Sequence, residues 1–150
     1  MIKILLANKF FYPRGGDCIY TINLARLLEK HGHSIAIFAM DYVDNIPTDW
    51  SAYFPSQIDF SDKSHIIRTI TRPLGNNEVK RKFTKIIDDF NPDLVHLNNI
   101  HSQLSPVIAE ISHRKGIPVV WTLHDYKLLC PRYDCLRNGL TVCEDCFGDK

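Results

Sequence analysis

IKILLANKFFYPRGGDC, Ile2 to Cys18, is the stretch on which the reading of this chain turns. Its first part, Ile2, Ile4, Leu5, Leu6 and Ala7, is apolar with a single lysine, the pattern of a strand covered on both faces in a parallel sheet. A parallel strand needs a crossover connection, usually a helix. One follows the glycines: Asp17 is suited to cap a helix in which Tyr20, Leu24, Leu27 and Leu28 fall at i, i+4, i+7 and i+8, ending near Gly32. HSIAIFAM, His33 to Met40, then reads as a second strand, which makes a βαβ unit with a right-handed crossover.

Beyond this unit the signal weakens and then returns. From Asp41 to Asn77 the aromatic residues Tyr42, Trp50, Tyr53, Phe54 and Phe60 are mixed with Asp, Pro and Ser without a period, and loops with short helical turns are expected. Val79, Phe83, Ile86, Ile87 and Phe90 form an apolar helical stripe closed by Asn91-Pro92. DLVHL, Asp93 to Leu97, is a short buried strand; Ser105-Pro106 suits an N-cap and first helical residue, for a helix running to Gly116; Val119 to Leu123 is a further strand. This alternation predicts an α/β fold with a doubly wound, Rossmann-like parallel sheet, in which ligands lie in the crevice beyond the carboxyl ends of the strands. The polar residues just past each strand, at 8–16, 41, 98–101 and 124–126, are therefore the ones to read for chemistry.

Composition narrows the function classes. With 150 residues the chain is the size of one domain, and its 45% apolar content is ordinary for a globular protein. A net charge of +1 offers no global field for nucleic acid, so nucleic-acid binding is not expected. No window approaches the roughly 18–20 apolar residues of a membrane span and the N-terminus lacks a secretory pattern, so a cytoplasmic protein with reduced thiols is expected.

Gly15 and Gly16 bear no side chains, so the backbone there can take positive φ and an anion can approach the amides, while the helix that follows favours phosphate at its N-terminus. The dinucleotide fingerprint Gly-x-Gly-x-x-Gly and the Walker Gly-Lys-Ser/Thr are both missing. Phe10, Phe11 and Tyr12 are expected to pack on the core rather than to touch ligand. His124 emerges from an apolar strand at the ligand edge, where an imidazole can hydrogen-bond a hydroxyl or transfer a proton. His96, within a strand, is expected to be a hydrogen-bonded core residue, and His101 is open.

Taken together, the glycine loop, PDLVHLNNIHSQLSP and GIPVVWTLHDYKLLCP resemble the N-terminal domain of family 4 glycosyltransferases, which have the two-domain GT-B fold. The resemblance covers essentially the whole chain. Thr122-Leu123-His124-Asp125-Tyr126 followed by Cys130-Pro131 is its most specific part, shared with members that build bacterial surface polysaccharides. It implies a retaining hexosyl transfer from a nucleotide-sugar donor to a glycan or lipid-linked acceptor held mainly by this domain, with no metal needed for the step. Gly15 and Gly16 would face the donor diphosphate and His124 would bond a hydroxyl of the donor sugar; Asn99, His101, Asp125 and Tyr126 are the acceptor-side candidates. Where many relatives carry a second histidine, this chain has Asn98, and no role is carried to it. The C-terminal donor-binding domain would begin where the sequence ends, at Lys150, so turnover is not expected of residues 1–150 alone, whether a fragment or a truncation. The alternative is a non-catalytic sugar- or nucleotide-binding module.

Two features lie outside that pattern. Cys130, Cys135, Cys143 and Cys146 lie in a C-terminal segment, 127–150, and supply enough thiols for a structural zinc, against which stand reduced cysteines in a loop that packs on a second domain. Lys80, Arg81, Lys82 and Lys85, opposite the apolar stripe, could rest on anionic head groups as a peripheral membrane contact, although a solvated helix face is commoner.

Overall fold

The computed structural model describes residues 1–56, 77–101, 103–130 and 132–145. The chain runs through β1 (Lys3–Ala7), α1 (Gly16–Lys30), β2 (Ser34–Phe38), a single 3-10 turn (Ser51–Tyr53), α2 (Asn77–Phe90), β3 (Leu94–Leu97), α3 (Val107–Arg114) and β4 (Val119–Trp121). A small hairpin of β5 (Leu136–Arg137) and β6 (Thr141–Val142) follows. The first four strands are parallel, in the order β2-β1-β3-β4, with Leu5 opposite Ala36 on one side and Val95 on the other. The expected doubly wound α/β sheet is present.

Alternation along the strands divides the core in two, because successive side chains of a strand point to opposite faces. Leu5, Ala7, Ala36, Phe38, Val95 and Leu97 pack with α2 and with Ile108 of α3. Ile4, Leu6 and Ile37 pack instead with Ile22 and Ala25 of α1. The stripe predicted for α2 is buried in full, and Phe83 meets Phe38 with ring centroids 5.0 Å apart. Burial of each such side chain contributes about 1.5–3 kcal/mol, so these are the residues that hold the layers together.

The helix after the glycines differs in part from its expected face. Its buried residues are Cys18, Thr21, Ile22 and Ala25; of the expected stripe, Leu24 and Leu28 are half-buried against the core, whereas Tyr20 and Leu27 are exposed. The sequence offers two apolar rows on this helix, and the row with small residues wins because it lets the helix approach the sheet closely. Asp17 is not the cap either: Gly15 occupies that position with extended backbone (φ −161°), and Asp17 stands in the first turn. Neither Gly15 nor Gly16 has a positive φ, contrary to expectation; among the described glycines that conformation falls to Gly32, Gly116 and Gly139. Phe10 and Phe11 are buried as expected, and Tyr12 stacks on Tyr42 at 5.2 Å.

Because β2 and β3 flank β1 on opposite sides, the winding reverses between β1 and β3. Their carboxyl ends, together with that of β4, open the crevice where such sheets receive ligands. At β4 the described sheet ends in an edge strand with Val119 and Val120 exposed. Among the described residues no helix is long and apolar enough to cross a membrane.

Candidate functional site

Three asparagines knit the strand ends together. Asn8 is buried directly after β1; its Nδ2 donates to Phe10 O at 2.9 Å and its Oδ1 accepts the Asn99 N–H at 3.0 Å. Lys9 N–H donates in turn to Asn99 O at 2.9 Å, and Asn98 N–H to Ala7 O at 2.9 Å. A further bond, from Trp121 Nε1 to Asn98 O at 3.0 Å, adds the end of β4. Asn45 clamps the opening loop from outside, accepting the Phe11 N–H at 2.9 Å and donating to Met40 O at 2.7 Å. The crevice floor is thus fixed by directional bonds between loops, which sets ligand-facing groups without relying on loop packing.

His124 stands on this floor. Its Nε2 lies 3.0 Å from Asn98 Oδ1, and its ring meets that of Tyr20 with centroids 5.1 Å apart. Tyr20 is one helical turn beyond Gly16, so α1 carries His124's neighbour on the same side as the glycine pair. Beneath lies His96, half-buried, with Nε2 2.8 Å from Thr122 Oγ1. Burial, and then the charge of His124, hold the His96 imidazole below its ordinary pKa. The hydrogen bond expected of this histidine is present, but the side chain is half-buried rather than in the core.

The Asn98 side chain is 1% exposed and bonds to His124, while its Nδ2 is buried without any partner among the described residues. Leaving such a donor unpaired costs about 1–3 kcal/mol. A residue carried at that cost is there for its one contact.

The glycine loop presents cations as well as amides. Phe10 is flanked by Lys9 Nζ, 5.0 Å from its ring centroid, and by the Arg14 guanidinium at 4.9 Å. Neither forms a salt bridge among the described residues. Burial, and then Arg14, lower the Lys9 pKa, with Asp17 opposing. A Cβ built on Gly16 meets nothing within 4 Å, and one on Gly15 meets Asp17 Oδ1 at 3.4 Å. Gly16 thus has open space beside it and needs no unusual backbone conformation.

Of the four residues expected to face an acceptor, His101 and Asp125 come together, with Nε2 4.0 Å from Oδ1 and the imidazole against Trp121 at 5.2 Å. Burial lowers the His101 pKa, Asp125 opposing only in part. Asn99 is placed by its backbone bonds, and its carboxamide has no protein partner among the described residues. Tyr126 is exposed at the rim, its N–H bonded to Tyr133 O.

The cysteines are less organised. Cys130 is buried, and Cys135 and Cys143 flank the hairpin, the Cys143 N–H donating to Cys135 O at 2.7 Å. Among the described residues no three His, Cys, Asp or Glu side chains are placed to hold a metal, and Cys146 lies outside them. On the basic helix, Lys82 bonds to Phe54 O and pairs with Glu78, and Lys85 pairs with Asp89, so two of its four cations are engaged within the protein.

Asn8, Lys9, Arg14 and Asn98 lie in the segments 8–16 and 98–101 that the strand ends marked for reading, but no role was expected of any of them.

The sequence profile described as Glycosyltransferase Family 4 matches residues 14–138 of the chain. A Klebsiella pneumoniae protein named "Uncharacterized 42.6 kDa protein in cps region" is 25% identical over 152 residues, an alignment covering 92% of this chain and 40% of that protein. The chain therefore spans well under half the length of this relative.

Proposed function

Because the chain belongs to glycosyltransferase family 4, we propose that it is the acceptor-side domain of an enzyme that moves a sugar, with retention, from a nucleotide-sugar to a glycan or lipid-linked acceptor. The observation that carries this reading is the contact of His124 with Tyr20, which stands one turn along α1 from Gly16, where a Cβ would meet nothing within 4 Å. The two halves of a nucleotide-sugar then have separate hosts. Its diphosphate suits the α1 amides with Lys9 and Arg14, since a helix N-terminus and nearby cations favour a departing negative charge. The sugar suits His124, and the acceptor suits the side lined by Asn99, His101, Asp125 and Tyr126. A surface polysaccharide as product is supported by the relative's printed name, which puts it in a cps region.

We further infer that turnover needs a second, nucleotide-binding domain and that residues 1–150 bind without transferring. The test is a titration of the 15N-labelled chain with a panel of nucleotide-sugars at millimolar concentration. Shifts are expected at the Gly15 and Gly16 amides and at the His124 side chain. Shifts confined to Arg26, Glu29 and Trp50, which line a groove between α1 and residues 46–50, would overturn the assignment. In an enzyme with both domains, His124→Ala is expected to lower the transfer rate about 10²-fold or more, the usual size of a lost general acid–base or transition-state contact.

A further inference from the structure

We propose that Asn98 is a positioning residue that fixes His124 as a hydrogen-bond acceptor for a ligand hydroxyl. The inference rests on the reading of His124 as the sugar-facing group and adds to it a device that selects the imidazole's protonation pattern.

The argument begins with what a carboxamide oxygen can do. It only accepts, so an imidazole nitrogen 3.0 Å from Asn98 Oδ1 must carry the proton. With Nε2 protonated in the neutral ring, Nδ1 is left with a lone pair, and it has no protein partner among the described residues. Such a nitrogen bonds an O–H and is repelled by a phosphate oxygen. His124 in this state therefore reads the hydroxyl-bearing part of a ligand and leaves the anionic part to the α1 end of the crevice.

The rest of Asn98 agrees with this role. Its backbone N–H and C=O are engaged with Ala7 O and Trp121 Nε1, so the strand end is held whatever the side chain. The side chain itself is almost wholly buried, makes its bond to His124, and leaves Nδ2 unpaired. An apolar residue would avoid that orphan donor but would leave the imidazole free to exchange tautomers and to rotate. The charged and titratable groups around the pair, His96 below and Tyr20 alongside, do not bond to His124 and so do not set its tautomer.

The experiment is long-range 1H–15N correlation on the ligand-free, histidine-labelled chain at a pH where imidazole is neutral. Wild type is expected to show His124 with the proton on Nε2 and a resolved, exchange-protected Nε2–H signal. Asn98→Asp, which keeps the accepting oxygen, should retain that signal, and Asn98→Leu should lose it and relax to the tautomer mixture of free histidine. An Nδ1–H tautomer in wild type, or no protected Nε2–H there, overturns the proposal even if neither variant folds. Survival of the signal in a folded Asn98→Leu overturns it as well. Since no ligand is present, failure of the nucleotide-sugar titration leaves this result standing, and the two readings fall separately.

Discussion

The rings of Tyr20 and His124 meet at 65° with centroids 5.1 Å apart, so the helix opened by the glycine pair and the loop leaving β4 touch through one aromatic contact. Such a pair is worth about 0.5–1.5 kcal/mol beyond simple burial. Tyr20→Ala is expected to lower stability by about 1 kcal/mol, seen as a lower urea midpoint at unchanged slope. It should also weaken nucleotide-sugar binding several-fold. Tyr20→Phe keeps the ring and should keep both. Equal losses in the two variants would mean that the hydroxyl, not the ring contact, is what matters.

Gly16 separates backbone need from ligand approach. It is the first residue of α1, its φ is not positive, and a Cβ there meets nothing within 4 Å. Gly16→Ala should therefore leave the fold intact and even stabilise it by a few tenths of a kcal/mol, as a helical alanine does relative to glycine. Nucleotide-sugar affinity is expected to fall about tenfold, roughly 1.4 kcal/mol, with a larger loss for Gly16→Val. Unchanged affinity in Gly16→Ala, measured by calorimetry, would show that no ligand comes close to this amide.

How far the sequence carried can be judged from particular residues. The α2 stripe of Val79, Phe83, Ile86, Ile87 and Phe90 was legible because one apolar row stands alone on an otherwise charged helix. On α1 the reading chose Tyr20, Leu24, Leu27 and Leu28 for the core; the structure packs Leu24 and Leu28 partly against it but leaves Tyr20 and Leu27 exposed and buries Cys18 and Ala25, because periodicity ranks rows by hydrophobicity while packing against a sheet also rewards small size. The crevice could be located from the strand ends. The bonds that build it could not, since Asn8 to Asn99 and Asn98 to His124 join residues far apart in sequence. His124 was legible from its place past an apolar strand, with the family resemblance adding its role, whereas Asn98 stands where many relatives carry a histidine, and its bond to His124 is seen only in the structure.

Acid should destabilise this domain in a defined window. His96 and His101 are both held below the ordinary histidine value of 6.5, each chiefly by burial. On acidification the unfolded chain therefore takes up protons before the folded one, and stability rises with pH wherever the unfolded state binds more. The contribution is full above about 6.5 and is lost as pH falls from there toward the folded-state values. Urea midpoints should be level from pH 8 to 7 and fall between pH 6.5 and 5. His96→Gln should flatten part of that slope. An identical slope in the variant would place the acid sensitivity elsewhere.

Lys9 and Arg14 provide the last test, because charge and packing predict different responses there. Both cations lie against Phe10, which is in the core, so part of their role is to cover an aromatic ring. A surface cation–π contact contributes about 0.5–1 kcal/mol, and loss of either one alone should cost no more than that in stability. Their effect on a diphosphate is different in kind. Two positive charges beside a helix N-terminus attract an anion through a field that salt screens over about 10 Å at 0.1 M. Nucleoside diphosphate binding by the wild-type chain is therefore expected to weaken clearly between 50 and 300 mM salt, those values being chosen to span roughly that screening range. Arg14→Gln should weaken binding at low salt, and the double variant with Lys9→Met should bind weakly and almost independently of salt. Lys9→Met keeps most of the apolar stem over Phe10, so its stability should stay near wild type while its binding does not. A double variant that retains the full salt dependence would show that the loop cations serve the Phe10 ring alone, and the diphosphate would then have to be held by other groups.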